Sequence, residues 1–163
     1  MEHQNKILDN SKPHEEQFET FCLNDLKEEM KIYVEKELEK IGRSDVKIET
    51  FKDFNSEKIW VHTDRKRLRQ ILSILLDNAI KHTDSGYILF DFQISSISPL
   101  SNKVSFFVDD TGFGFHNEND LNYSIAQGLV KRLGGEMRIR PAEESGTSVS
   151  FHIMCTPCKI FEN

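Results

Sequence analysis

The stretch DRKRLRQILSILLDNAIKHT, from Asp64 to Thr83, has the clearest structural pattern in the chain. Its apolar residues recur every three or four positions, as one face of a helix requires; they are Leu68, Ile71, Leu72, Leu75 and Ala79. Asp64 precedes the pattern and can accept hydrogen bonds from the first free backbone amides of a helix. The pattern predicts an amphipathic helix whose apolar face packs on a second layer.

Three polar residues share one face at the end of this predicted helix. Asn78, Lys81 and His82 stand at positions i, i+3 and i+4. An amide oxygen suits magnesium and a lysine suits phosphate, so the set could hold a metal-nucleotide complex. The simpler interpretation is a solvated helix face on which Asp77 pairs with Lys81. Taken alone, the spacing favours the simpler interpretation.

A second candidate site is DDTGFG, Asp109 to Gly114, which directly follows the strand-like run VSFFV. The Asp110 carboxylate at a strand end can accept a hydrogen bond from an exocyclic amine. Glycines at positions 112 and 114 would let the backbone approach a flat ring such as adenine. The alternative is an ordinary tight turn, for which Asp, Thr and Gly are common residues.

The residues before this helix predict one more helix and two strands. LKEEMKIYVEKELEKIG has an apolar stripe at helical spacing, with Asn24 as a possible N-cap and Gly42 as the stop. VKIETFKDF and KIWVHT alternate apolar and polar residues, which predicts a hairpin that turns at Asn55 and Ser56.

The residues after the helix continue the same organisation. YILFDFQI and KVSFFV predict two strands, with ISSISPLSN as an exposed connection. A helix from Tyr123 to Leu133 should stop at Gly134-Gly135, and EMRIR and TSVSFHI predict two final strands. Strand pairs separated by helices predict an α/β two-layer sandwich, a mixed sheet with helices on one face.

Length and charge narrow the class of protein. A chain of 163 residues suits one domain, and we expect it at 21–156, after a polar lead-in at 1–20 and before a tail at 157–163. The net charge of -6 argues against general binding to nucleic acid. No apolar run has the length of a membrane span, and the N-terminus lacks the apolar core of a signal peptide. These features predict a cytoplasmic chain without direct membrane contact, while leaving open a membrane anchor in a parent protein.

The cysteines do not predict a metal site. Cys22, Cys155 and Cys158 are an odd count, which fits a reducing compartment. Cys155 and Cys158 have the spacing of zinc ligands, but a structural zinc needs four ligands and no second pair is visible in the sequence.

Four motifs, taken together and in order, resemble a known family: DRKRLRQILSILLDNAIKHT, DDTGFG, GLVKRLGG and SGTSVSF. They are similar to the catalytic, ATP-binding domain of two-component sensor histidine kinases, within the GHKL superfamily. The resemblance covers about Asn24 to Ile153. It implies the Bergerat fold, with ATP between the long helix and the helix that follows it.

The resemblance also implies roles for residues on the long helix. Asn78 matches the N-box asparagine that coordinates Mg²⁺. Lys81 matches the neighbouring basic residue that meets phosphate, and His82 occupies a position that lines the pocket.

The remaining roles fall on the glycine-rich motifs. Asp110 matches the acid that reads the adenine amino group, and Gly112 and Gly114 match the pocket wall. Thr147 resembles the residue that supports the acid, often through water. The resemblance assigns no residue of this chain to the chemical step itself.

The sequence departs from the family at three points. Only nine residues, FHNENDLNY, separate Gly114 from Ser124, where the family has a lid and a second glycine-rich box; Glu118 and Asp120 there would repel a triphosphate. Ile74 stands where a polar residue is usual, so the chain is a poor candidate for an independent ATPase. An HExxTP-like phosphoacceptor box is also missing from the sequence.

These features support two main hypotheses. In the first, the chain binds ATP and Mg²⁺ and transfers the γ-phosphoryl group to a histidine outside this chain, with a phosphoacceptor domain and a response regulator as partners. In the second, it is a degenerate regulatory module that binds nucleotide or protein without catalysis. The sequence also leaves open that the lid was shortened by engineering. A serine kinase of the anti-sigma type is a weaker alternative. Since dimerisation in the family belongs to the phosphoacceptor helices, we expect a monomer.

Overall fold

The computed structural model describes residues 17–51, 57–113 and 121–157. The helices are α1 (Leu23–Lys40), α2 (Arg65–His82) and α3 (Leu121–Arg132). The strands are β1 (Glu19–Cys22), β2 (Lys47–Glu49), β3 (Trp60–Thr63), β4 (Tyr87–Ser98), β5 (Ser101–Asp110), β6 (Glu136–Pro141) and β7 (Thr147–Pro157). No helix in these ranges has both the length and the apolar character that crossing a membrane requires.

The seven described strands form one mixed sheet. Its order is β1-β3-β7-β5-β4-β2, and β6 pairs with the first half of β7. Only the β2–β4 pair among them is parallel; the others are antiparallel. The central strands bury alternate residues on one face, as a half-covered sheet requires; on β5 these are Val104, Phe106 and Val108. The predicted mixed sheet with helices on one face is confirmed.

The α2 helix forms much of the layer that covers this apolar face. Leu68, Ile71 and Leu72 are fully buried in the core. The Asp64 carboxylate accepts a hydrogen bond from the Arg67 amide at 3.1 Å, so the predicted N-cap is confirmed. The predicted stop of α3 is also confirmed, because Gly134 has φ of 77° and the Gly135 amide donates to the Val130 carbonyl.

The predicted hairpin between residues 46 and 63 is wrong. Both segments contain strands, but β2 pairs with β4 at one edge of the sheet, and β3 pairs with β1 and β7 on the other side. The predicted turn at Asn55 and Ser56 lies outside the described residues. Alternation identified the strands correctly, but it carries no information on which strand becomes the neighbour.

Three local predictions also need correction. Helix α1 begins after Cys22, and Asn24 lies inside it, where its side chain accepts a hydrogen bond from the Ile59 amide at 2.8 Å. The connection between β4 and β5 is much shorter than predicted, since the hairpin continues to Ser98 and Ser101. Strand β1 was missed, because four residues flanked by polar sequence show too little alternation.

Candidate functional site

The end of α2 presents the three polar residues predicted to bind ligand. Asn78 is buried, with an exposed fraction of 4%, His82 is half-buried and Lys81 is exposed. The amide nitrogen of the Asn78 side chain has no hydrogen-bond partner in the part of the chain that the structure describes. The predicted Asp77–Lys81 pair is replaced by another contact, because Asp77 accepts a hydrogen bond from the Tyr33 hydroxyl at 2.6 Å.

Asp110, at the end of β5, is held by backbone amides. Its Oδ1 atom accepts hydrogen bonds from the amides of Gly112 at 3.0 Å and Thr147 at 3.3 Å. The carboxyl group is buried, with 4% of the residue exposed, and Thr147 beside it is fully buried. Thr147 therefore supports the acid through its backbone, a contact that the resemblance did not specify.

The surroundings of Asp110 make its ionised form costly. Burial raises the pKa of the Asp110 carboxyl to about 6, and the Asp109 charge acts in the same direction. The hydrogen bonds from Gly112 and Thr147 lower the pKa, but they do not offset the burial. An ionised carboxylate only accepts hydrogen bonds, so the buried Asp110 group is chemically suited to an amine donor.

The turn after β5 lies directly against the last turn of α2. The Phe113 amide donates to the His82 carbonyl at 3.2 Å, and the two rings meet edge to face at 5.9 Å. A Cβ atom on Gly112 would lie 2.1 Å from that carbonyl oxygen, so only glycine fits. The structure thus brings the acid and the helix polar residues to one place, while Gly114 lies outside the described residues.

Two hydroxyl groups that sequence reasoning missed hold this turn. Thr111 Oγ1 accepts a hydrogen bond from the Tyr87 amide at 2.9 Å, and Ser145 Oγ donates to the Gly112 carbonyl at 2.7 Å. Gly146 also lies close, since a Cβ there would approach the Asp110 carbonyl oxygen to 2.0 Å. Ser145 and Gly146 lie between the two predicted final strands, and no local signal indicates their contact with a turn more than thirty positions earlier.

A third missed residue, Arg43, caps the C-terminal end of α2. Its Nη1 donates to the carbonyls of Ile80 at 2.8 Å and Thr83 at 3.2 Å, with a longer contact to Lys81 at 3.4 Å. Its Nη2 pairs with Asp84 at 2.6 Å. Free carbonyls at a helix end attract cations, so Arg43 fixes the turn that carries Lys81 and His82.

A cavity of about 680 Å³ opens beside the same motif, but away from α2. It is lined by Asp109, Asp110, Arg140 and Ser148, together with the β6–β7 turn; none of the three polar residues of α2 contributes. The alternation of β5 and β7 puts Asp109 and Ser148 on the sheet face opposite the helices. Asp110 borders this cavity, but the three polar residues of α2 do not, so we assign the candidate ligand site to the place where the Asp110 turn meets the end of α2.

The described residues fit a magnesium ion only together with a substrate. They contain no group of three or more His, Cys, Asp and Glu side chains placed to hold a metal. Mg²⁺ often uses one or two protein ligands, several waters and substrate phosphates. The side-chain oxygen of the buried Asn78 carboxamide is the kind of ligand that Mg²⁺ takes.

Comparison with known proteins assigns the fold and its motifs to a family. A family model described as histidine kinase-, DNA gyrase B-, and HSP90-like ATPase matches residues 63–157, more than half of the chain. The chain belongs to this family. The match includes α2, the Asp110 turn and Thr147, so the ATP-binding domain of histidine kinase type expected from the motifs is confirmed.

Individual relatives include sensor kinases from two distant groups of organisms. The chain is 27% identical over 117 residues to hybrid signal transduction histidine kinase B from Dictyostelium discoideum, covering 58% of this chain and 6% of the relative. It is 38% identical over 73 residues to the adaptive-response sensory kinase SasA from Nostoc, covering 45% and 17% respectively. The chain therefore spans less than a fifth of the length of these relatives.

A solved structure has the same fold. The full-length structure of ShkA in complex with AMPPNP superposes with a TM-score of 0.66 at 21% identity, covering 88% of this chain and 32% of that protein.

Proposed function

We propose that this chain binds Mg-ATP between α2 and α3 and transfers the γ-phosphoryl group to a histidine side chain outside it. The observation that carries the proposal is the buried Asp110 carboxylate, held by two backbone amides beside the end of α2. Asp110 lies within the part of the chain that matches the ATPase-type family model. ShkA, which has the same fold, was solved with the ATP analogue AMPPNP.

In this proposal, Asp110 recognises the adenine base. The carboxylate accepts a hydrogen bond from the exocyclic amine, which guanine does not offer at the same position. Gly112 allows the base to approach the backbone, and the half-buried His82 lines the pocket. Gly114, which lies outside the described residues, is proposed to continue the pocket wall.

The phosphate end of the site would be formed by Asn78 and Lys81. Asn78 would hold Mg²⁺, which neutralises charge on the β- and γ-phosphates when it is bound. The exposed Lys81 ammonium adds a mobile positive charge. A nitrogen of the acceptor imidazole attacks the γ-phosphorus in line, the bond to the β–γ bridging oxygen breaks and ADP leaves.

The position of Ile74 supports transfer to histidine rather than to water. Its side chain is partly buried and packs against the hydrophobic core. A hydrocarbon at this position cannot remove a proton from water. A neutral imidazole needs no such base, because one of its ring nitrogens carries no proton and can attack directly.

A second candidate function is a regulatory module that binds nucleotide or protein without phosphoryl transfer. Ile74 and the short segment between Gly114 and Ser124 favour it, since both reduce the groups available around the phosphates. For either function we propose a cytoplasmic, monomeric domain. The first function also needs a phosphoacceptor domain and a response regulator.

Calorimetric titration of ATP with and without Mg²⁺ tests the proposal, with Asp110→Asn as the key variant. The wild-type chain should bind ATP in a Mg²⁺-dependent manner and prefer it to GTP, and the variant should lose that preference. Asp109→Asn is a matched control because it removes the same charge one residue away, where the carboxylate instead accepts a hydrogen bond from Ser148 at 2.7 Å. Unchanged ATP preference in Asp110→Asn would remove this residue from the site.

A second assay separates the two candidate functions. The chain is mixed with labelled ATP and the phosphoacceptor-histidine domain of its parent protein, and acid-labile phosphohistidine is measured. Labelling supports the kinase; Mg²⁺-dependent binding without labelling supports the regulatory module.

A further inference from the structure

The sheet face opposite the helices carries charged and hydroxyl side chains in rows. In one row Ser105, His152 and Glu136 are direct neighbours across β5, β7 and β6; in the next row Ser150 is the neighbour of Arg138. Facing residues on adjacent strands lie about 5 Å apart, so three strands bring these groups together within about 10 Å. This part of the face, with Lys103 on β5, is termed the basic end.

The basic end encloses a depression of about 230 Å³. It is lined by Lys103, Arg138, His152, Ser105 and Ser150, with Phe107 as an apolar wall and Glu136 as the one acidic residue among them. Neither Lys103 nor Arg138 forms an ion pair within the described part of the chain. Two cations and two hydroxyl groups are therefore available to a ligand.

The charges at the basic end are close enough to act on His152. Partial burial lowers the pKa of the His152 imidazole, the positive charges of Lys103 and Arg138 lower it further, and Glu136 opposes them. These groups belong to β5 and β6, the two strands that flank His152 along β7. Two positive charges and one negative charge therefore act on the imidazole, although the whole chain carries a net charge of -6.

The rest of this face has the opposite character. Near the β6–β7 turn it carries Asp109, Glu143 and Glu144, which line the separate cavity of about 680 Å³ with Arg140. An anion on this face would therefore be repelled from the turn and attracted to the basic end.

We infer that the basic end is a binding site for a phosphate group, either the free ion or a phosphate monoester. A tetrahedral phosphate offers three or more acceptor oxygens in different directions, which suits donors arriving from three strands better than a planar carboxylate would. Arg138 can bind two oxygens at once, Lys103 adds a point charge and the serine hydroxyls complete the set. The site lies on the opposite side of the sheet from α2, and it does not depend on the proposed kinase function.

The test is an NMR titration of the His152 ring with inorganic phosphate and with phenyl phosphate, at constant ionic strength. His152→Gln assigns the signal. A bound dianion should raise the pKa of His152 and shift its ring signals until they saturate. Tighter binding of phenyl phosphate would identify a monoester as the ligand, through contact with Phe107; equal or tighter binding of inorganic phosphate would identify the free ion.

Three variants make the result specific. The double variant Lys103→Gln with Arg138→Gln should weaken phosphate binding by about tenfold or more, and it should raise the pKa of His152 before phosphate is added. Glu136→Gln should act in the opposite direction on both quantities. Lys131→Gln removes one positive charge at an exposed position of α3, away from this face; it is the control for a change in net charge and should change neither quantity. A linear response of His152 without saturation, or equal weakening by Lys131→Gln, would overturn the site.

Discussion

The buried Asp110 carboxyl, the proposed acceptor for adenine, destabilises the fold when it is ionised. Its pKa is raised from 3.8 to about 6, so the folded chain ionises this carboxyl less readily than the unfolded chain does. The stability linked to this group is therefore fully present below pH 3.8 and is lost as the pH rises through about 6. At neutral pH the fold holds a buried negative charge that a ligand amine could partly compensate.

The first prediction concerns the pH dependence of base recognition. We expect adenosine to bind about tenfold more weakly at pH 5 than at pH 7.5, because a carboxyl with a pKa of about 6 is then about nine-tenths protonated. The experiment uses adenosine instead of ATP, because the phosphates of ATP themselves titrate near pH 6. NMR or calorimetric titration measures the affinity, and Asp110→Asn should abolish the pH dependence. A flat profile in the wild-type chain would argue against an ionised Asp110 as the acceptor.

Helix α2 shows how one element depends on a residue from outside it. Its N-terminus is capped locally by Asp64, whereas its C-terminal carbonyls are capped by Arg43, which precedes the helix by more than twenty positions. Asn78, Lys81 and His82 all lie in the last two turns, so this cap bears on the proposed site. The cap holds the backbone carbonyls of Ile80, Lys81 and Thr83, and so fixes the turn from which Lys81 and His82 project.

The second prediction is that Arg43→Ala destabilises the fold and weakens nucleotide binding. The free energy of unfolding should fall by about 1–2 kcal/mol, because several carbonyls lose a charged donor. Urea unfolding measures this loss. ATP affinity, measured on the still folded variant, should fall several-fold. Arg43→Lys should restore only part of this affinity, because its ammonium keeps the charge but reaches fewer carbonyls than the guanidinium does.

Arg140→Ala is the control for this prediction. Arg140 is exposed on β6, so the variant has the same charge change without the helix cap. Its stability should stay within about 0.5 kcal/mol of the wild type. If Arg43→Ala lost stability but kept full ATP affinity, Arg43 would have a structural role only.

At the scale of the whole molecule, one hydrophobic core joins all three helices to the sheet. It contains residues from α1, α2 and α3 and from the central strands. The residues proposed to bind nucleotide lie on the end of α2 and the end of β5, two elements that both contribute to this core. Folding and assembly of the site should therefore be a single event.

The third prediction is that Leu72→Ala destabilises the domain by about 2–5 kcal/mol, because the deleted side chain is fully buried. This is a large part of the 5–15 kcal/mol typical of a domain. Urea unfolding should show one transition when followed by fluorescence and by circular dichroism. Leu100→Ala, at a position 83% exposed, should leave stability within about 0.5 kcal/mol. Two separate transitions would contradict the single core.

Sequence patterns alone were enough to predict most of the local elements and to propose the main site residues. Apolar spacing predicted α2, an N-cap aspartate predicted its start, and paired glycines predicted the end of α3. These features depend on residues within a few positions of one another. The motif around Asp110 was identified for the same reason, since its acid and its first glycine are two positions apart.

Strand pairing, long-range hydrogen bonds and their effect on the site came only from the tertiary structure. It paired β2 with β4 instead of β3, brought Arg43 to the end of α2, and placed Ser145 and Thr147 against the Asp110 turn. It also raised the pKa of Asp110 by burial. These contacts join residues about 30 to 40 positions apart, and their free energy comes from packing and desolvation of the whole core, which no local sequence period encodes.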